Sequence, residues 1–314
     1  MLKVKIIYVY LCYMKQTKTH IISSSDGLSI AILVCEPETE PKAIVQIAHG
    51  MAEHKERYIA FMSFLADHGY ICVINDHRGH GESVKVFDDL GYFYKGGAKA
   101  LLNDTFEVSK WAKNRYNDIP LFLFGHSMGS LLVRAYAREY DYYINKMVIC
   151  GSPRNNALTR LAKLLTYFFR PHQKPDMLYK MILGNKNRLF ESERLPNAWL
   201  SANRDNVVKY NHDKYCGFKF TSNGCRSLFD LMNAAYSKHG WLVSRPNMPI
   251  LFISGGKDPC MVDEDHFLKV VERINKVGYT DVKYIIYPGL RHEILNENDI
   301  NVFFDLLNFF DSAD

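Results

Sequence analysis

This chain lacks several signatures that would have assigned it quickly. Its seven cysteines (Cys12, Cys35, Cys72, Cys150, Cys216, Cys225 and Cys260) are odd in number, irregularly spaced and never form a C-x-x-C. Neither a disulfide framework nor a zinc site is therefore indicated. Those in apolar runs such as ICVIN and MVICG read as small buried hydrophobes, which fits a reducing compartment, the cytoplasm. There is no G-x-G-x-x-G and no G-x-x-x-x-G-K-[ST], so no nucleotide or other cofactor is expected. No H-E-x-x-H occurs; the closest histidine pairs, His77 with His80 and His49 with His54, lie in glycine-containing turns, and no metal is expected. Like charges never run in blocks and the formal net charge is only +5, which is not the footprint of a nucleic-acid binder. Low-complexity tracts and internal repeats are also missing. The apolar run IIYVYLCY near the start falls well short of the roughly 20 residues that span a bilayer. Basic residues precede it as in a signal peptide, but no small-residue cleavage site follows. Residues 1–13 read as a dispensable extension, with a weak membrane anchor as the second reading.

What is present is the composition of a packed α/β protein: 314 residues, 47% hydrophobic and 13% aromatic. THIISS and LSIAILVCE, broken at Asp26-Gly27, read as an antiparallel hairpin. Then strands alternate with helical patterns: AIVQIAHG, RYIAFMSFLADHG ending on Gly69, YICVIND, NDTFEVSKWAKNRY, PLFLFG, SLLVRAYAREY and KMVICGSP. After a gap the alternation resumes with PILFISG, a helix from about Glu264 to Lys276, VKYIIYPG and a last helix through VFFDLLNFF. That order predicts a mostly parallel sheet flanked by helices. Residues 14–151 and 246–314 would form its core, and 152–245, rich in helical patterns, would be an insertion after the sixth strand. Ligands bind at the C-terminal edge of such sheets, so the insertion is placed to act as a cap or lid.

GHSMGS sits where the strand PLFLFG meets a helix, and Gly125-His126-Ser127-Met128-Gly129 fits G-x-S-x-G. A strand–turn–helix context is what this motif requires to present a nucleophilic serine. A free serine hydroxyl is weakly nucleophilic and needs a base, and that base an orienting acid. Asp258, in the turn after PILFISG, and His292, just past VKYIIYPG, follow in the order serine, acid, histidine and lie 34 residues apart. Glu293 is the competing acid, but adjacent to His292 it is poorly placed to reach that ring. The N–H of Met128 is one candidate oxyanion donor; that of Met51, after His49-Gly50 at the end of AIVQIAHG, is the second. Cys260, two residues past Asp258, reads as a packing residue.

Taken together, HGMAEHKERY, NDHRGHGES, GHSMGS, SGGKDPC and PGLRHEIL resemble the monoacylglycerol lipase and lysophospholipase branch of the α/β-hydrolases, the group also called serine aminopeptidase-like. The likeness runs from about residue 20 to the C-terminus, and WLSANRDNVVKYNHDKYC is similar to that group's cap segment. The resemblance implies an eight-stranded α/β-hydrolase fold, the triad Ser127, Asp258 and His292, and the oxyanion donors Met51 and Met128. His49, Gly50, Gly125, His126 and Gly129 would support the elbow and the oxyanion loop, with the histidines bracing turns. The chain departs from the pattern at Ala52, where HGxGEH relatives carry glycine; alanine disfavours a positive φ.

The expected activity is hydrolysis of a carboxylic ester with an apolar acyl chain, a monoacylglycerol or a lysophospholipid, through an acyl-enzyme. An aminopeptidase or acyltransferase on the same triad is the alternative, and a binding protein without turnover a more distant one. RLAKLLTYFFR carries apolar residues at 161, 164, 165, 168 and 169, one face of a helix. The favoured reading packs that face of helix 158–170 on the protein's own core. The other turns it toward lipid, with Arg160, Lys163 and Arg170 near anionic head groups and peripheral membrane contact as the result.

Overall fold

The computed structural model describes residues 15–154, 158–184 and 186–313; the proposed extension at 1–13 lies outside the described residues. Eight strands form one sheet: β1 (Lys15–Ile22), β2 (Ser29–Glu36), β3 (Ala43–Ala48), β4 (Tyr70–Asn75), β5 (Leu121–His126), β6 (Lys146–Cys150), β7 (Ile250–Gly255) and β8 (Val282–Tyr287). Their order across the sheet is β1-β2-β4-β3-β5-β6-β7-β8. The β1–β2 hairpin is antiparallel, as is the β2–β4 pair, and every later pairing is parallel.

Continuous apolar strands such as AIVQIA and LFLFGH are buried on both faces, as a parallel sheet covered by helices demands. Successive side chains point to opposite faces. Ile44, Leu123, Ile149 and Phe252 join a core under α2 (Gly97–Arg115), α3 (Met128–Tyr140) and α8 (Glu264–Val277). Val45, Phe124, Val148 and Ile253 join a second core under α1 (Ile59–Asp67) and α9 (Asn301–Asp311). Helix α2 starts six residues before Asn103, the start read from the sequence, because Ala98, Ala100, Leu101 and Leu102 continue the helical pattern.

Between β6 and β7 the described residues hold only helical elements: α4 (Thr159–Leu165), α5 (Asp176–Leu183), α6 (Arg204–His212), α7 (Ser222–Ala235) and short 3-10 turns. α7 packs against α3. One expectation fails here. RLAKLLTYFFR is not one helix packed inward; α4 stops at Leu165, a 3-10 turn covers Thr166–Phe168, and Phe169 is extended. Pro171 disfavours a helical Arg170, and Arg226 fastens the bend by donating to the Thr166 hydroxyl at 2.9 Å. The inward face is Thr159, Ala162 and Thr166, whereas Leu161, Leu164 and Phe168 are 55%, 60% and 84% exposed. Leu165 and Phe169 alone of the predicted stripe pack on the core.

From β3 the chain turns one way to β4, and β5 lies on its other side. A crevice opens at such a reversal, at the carboxyl ends of the strands, and the loops after β3 and β5 border it.

Candidate active site

Ser127 is the single residue between β5 and α3, and its backbone is strained, with φ 53° and ψ −114°. Its N–H donates to the Cys150 carbonyl at 2.9 Å and its carbonyl accepts from the Ser130 hydroxyl at 2.6 Å, which holds the turn. A Cβ at position 129 would overlap the Ala48 carbonyl oxygen, and one at 125 would overlap the Gly129 carbonyl. Both glycines of the pentapeptide are therefore demanded by close backbone approach, not by turn chemistry alone. Met128 opens α3, where N–H groups have no acceptor within the helix and the dipole favours negative charge.

Asp258 lies in the turn after β7 and His292 in the loop after β8, both about 2% exposed. The Asp258 Oδ2 accepts from His292 Nδ1 at 2.8 Å, while its Oδ1 accepts from the Cys260 N–H at 2.7 Å. That places the imidazole proton on Nδ1 and leaves Nε2 as a base. Burial pulls the His292 pKa down, but the Asp258 charge and hydrogen bond outweigh it and hold the imidazole well above its ordinary range. Trp199 packs on the His292 ring, centroids 4.9 Å apart. Glu293 turns away: it takes two bonds from Arg57 at 2.6 Å and one from Asn206 at 2.7 Å.

The loop after β3 carries a feature that the sequence anticipated. Ala52 has φ 54°, in the left-handed region that favours glycine, and its carbonyl is held by the Gly217 N–H at 2.9 Å and the Tyr210 hydroxyl at 3.2 Å. The Gly50 N–H donates to Glu53 Oε1 at 2.5 Å, and Arg57 binds Glu53 at 2.7 Å. Burial would raise the Glu53 pKa, but the hydrogen bond from His126 and the charge of Arg57 keep it well below the usual carboxylate range. His126 also bonds the His292 carbonyl at 3.1 Å. Arg57 reaches Asn206 and stacks on Tyr210 of α6 as well, so one guanidinium joins the loops after β3 and β8 to the segment between β6 and β7. Sequence reasoning passed over Glu53 and Arg57. Their signal was the i, i+4 charge pair that begins three residues after Gly50.

Gly50, Met51, His126, Ser127, Met128 and His292 line one cavity of about 630 Å³. Asp258 sits behind His292, Gly125 and Gly129 lie in the packing beneath, and His49 is buried against His77 and His80. Cys260 is buried on the same cavity wall. The segment between β6 and β7 supplies most of the remaining lining, which is largely apolar (Leu158, Ala162, Ile182, Leu183, Leu228 and Phe229) with Arg154, Lys186 and Asn197 among it. Among the described residues, the acids on the wall are Glu53 and Glu293, both bound by Arg57.

A family model described as "Serine aminopeptidase, S33" matches residues 39–299. A monoacylglycerol lipase of Mycolicibacterium smegmatis is 27% identical over 294 residues, covering 91% of this chain and 94% of the relative. A monoglyceride lipase of Mus musculus is 27% identical over 256 residues, 77% of this chain and 74% of the relative. A thermostable carboxyl esterase from Bacillus coagulans, solved in complex with glycerol, superposes with a TM-score of 0.85 at 25% identity over 95% of this chain and 98% of that one.

Proposed function

The chain belongs to the serine aminopeptidase S33 family of α/β-hydrolases, and from that membership we propose that Ser127, His292 and Asp258 are the catalytic triad of a lipid esterase taking monoacylglycerols or lysophospholipids. The enzyme is a carboxylic ester hydrolase. One observation carries the residue assignment: His292, buried and hydrogen-bonded to Asp258 behind it, shares a cavity with a strained serine at a helix N-terminus.

In the reaction, His292 Nε2 takes the Ser127 proton as Oγ attacks the ester carbonyl, and Asp258 stabilises the imidazolium that results. The N–H groups of Met51 and Met128 receive the developing oxyanion, worth about 10²–10³ in rate for each donor. His292 then returns the proton to the leaving alcohol, and water repeats the sequence to free the fatty acid. Residues 152–245 act as the cap of this site. Its apolar lining receives the acyl chain, and the exposed Leu161, Leu164 and Phe168 touch the lipid surface from which the substrate is drawn. A peptidase would need a free acid for the substrate amine. Among the described residues the acids on the wall are Glu53 and Glu293, which Arg57 occupies, and this supports the esterase reading.

The test is hydrolysis of a chain-length series of monoacylglycerols, lysophospholipids and nitrophenyl esters by wild type and Ser127→Ala. Wild type should turn over long-chain esters, with residual catalysis by the variant no more than roughly 10³–10⁴ over water. A wild type inert on every ester, or a variant as active as wild type, overturns the reading.

A further inference from the structure

Three ligand-type side chains meet at a place the catalytic chemistry does not use. His54 follows the oxyanion loop; Asp213 and Cys216 lie just past α6, in the inserted segment, about 160 residues away in the chain. One donor atom from each, His54 nitrogen, Asp213 carboxylate oxygen and Cys216 sulfur, all lie within 4.8 Å of one another. His54 Nε2 is 2.8 Å from Asp213 Oδ2, and its other nitrogen, Nδ1, is 2.7 Å from Glu56 Oε2. Asp213 is preset by the Tyr215 N–H, which donates to Oδ1 at 2.8 Å and leaves Oδ2 facing the ring.

We propose that His54, Asp213 and Cys216 form a binding site for a thiophilic divalent cation, zinc above all, that staples the inserted segment to the oxyanion loop. One imidazole, one carboxylate and one thiolate suit zinc, and three protein ligands leave a fourth position for water. Glu56 then plays the part metal-bound histidines commonly require, a carboxylate on the far ring nitrogen that fixes tautomer and orientation. At His54 and Asp213 the fit needs only a small movement, while the Cys216 sulfur, within 4.8 Å of both, closes to about 3.6 Å. With zinc about 2.0–2.2 Å from nitrogen and oxygen, those atoms stand about 3.3 Å apart, so the His54–Asp213 separation opens by roughly half an ångström. Cys216 is half-buried, and its burial pushes the thiol pKa up, so binding exchanges the thiol proton for the metal. The staple lies beside an existing link, because the Gly217 N–H next to Cys216 already holds the Ala52 carbonyl at 2.9 Å.

The cluster was invisible to a search for metal spacing, since its members come from two distant segments and form no local motif.

Cobalt(II) chloride titrated into the full-length protein tests the assignment. One equivalent should bind and give the near-ultraviolet sulfur-to-cobalt charge-transfer band, and zinc chloride should displace it. Cys216→Ser should remove that band, Glu56→Gln should weaken binding about 10–100-fold, and Cys260→Ser should leave the band intact. In the unsubstituted protein, zinc should slow alkylation of Cys216 and not of Cys260, a readout independent of whether any variant folds. No binding at millimolar cobalt, or a band that depends on Cys260 and survives Cys216→Ser, overturns the proposal. So does alkylation of Cys216 at an unchanged rate.

Discussion

At the scale of single residues, the proposed function rests on groups held in states they would not adopt alone. Ser127 keeps a left-handed backbone because β5 and α3 leave it no other path. His292 is fully buried yet keeps a raised pKa, because the Asp258 carboxylate is hydrogen-bonded to it. As the proposed base it must be neutral, so kcat/KM should rise with pH through the His292 titration. Asp258→Asn removes the charge that favours the imidazolium and admits the wrong tautomer. It should cut kcat by about 10⁴ and move the acid limb of the pH profile to lower pH, as steady-state rates against pH will show. Ala52 is held at φ 54° by bonds to its carbonyl, a conformation that costs an L-residue about 1–2 kcal/mol. Glycine relieves that cost but gives back about 0.5–1 kcal/mol of backbone entropy. Ala52→Gly should therefore raise unfolding free energy by up to about 1 kcal/mol, measured by urea denaturation.

Elements then decide where those residues meet. β3 and β5 are neighbours in the sheet, so the loops leaving their ends bring Met51 beside Ser127. β7 and β8 carry Asp258 and His292 in the same way. α4 illustrates the opposite case, an element whose facing its own sequence does not set. Its apolar stripe was legible, but periodicity identifies a face without saying what it faces. α7 and α3 already cover the core side, and the small residues Thr159 and Ala162 let α4 approach closely, which leaves the leucines outward. If that surface meets lipid, Leu164→Ser combined with Phe168→Ser should reduce cosedimentation with phospholipid vesicles several-fold. Turnover of short-chain soluble esters should change little by comparison. Equal vesicle binding by wild type and the double variant would remove the role proposed for this surface.

For the molecule as a whole, pH should act through its buried histidines. Burial lowers the pKa of His77 to about 4 and of His80 to about 3, and depresses His49 as well. The unfolded chain protonates these groups near pH 6.5 and the folded protein does not, so stability falls as pH drops from about 6.5 toward 4 and 3. The raised His292 gives its full stabilisation throughout that range and does not offset the fall. Urea midpoints across pH 7 to 4 should decline steadily, and a flat profile would show that these rings find proton partners when folded. The sequence by itself determined the strand order along the chain, the turn at Ser127 between a strand and a helix, and the placing of Asp258 and His292 just past successive strands. These follow from local rules: alternation of apolar runs, glycines where backbones nearly touch, and polar residues at strand ends. It determined the odd position of Ala52 too, since one missing glycine is visible without a fold. Only the tertiary structure decided that Arg57 joins Glu53, Glu293 and Asn206, and that His54 meets Asp213 and Cys216. It also decided that the α4 leucines point outward. The reason is common to all three: each depends on how the segment between β6 and β7 packs on the rest of the chain, a long-range outcome that no local spacing encodes.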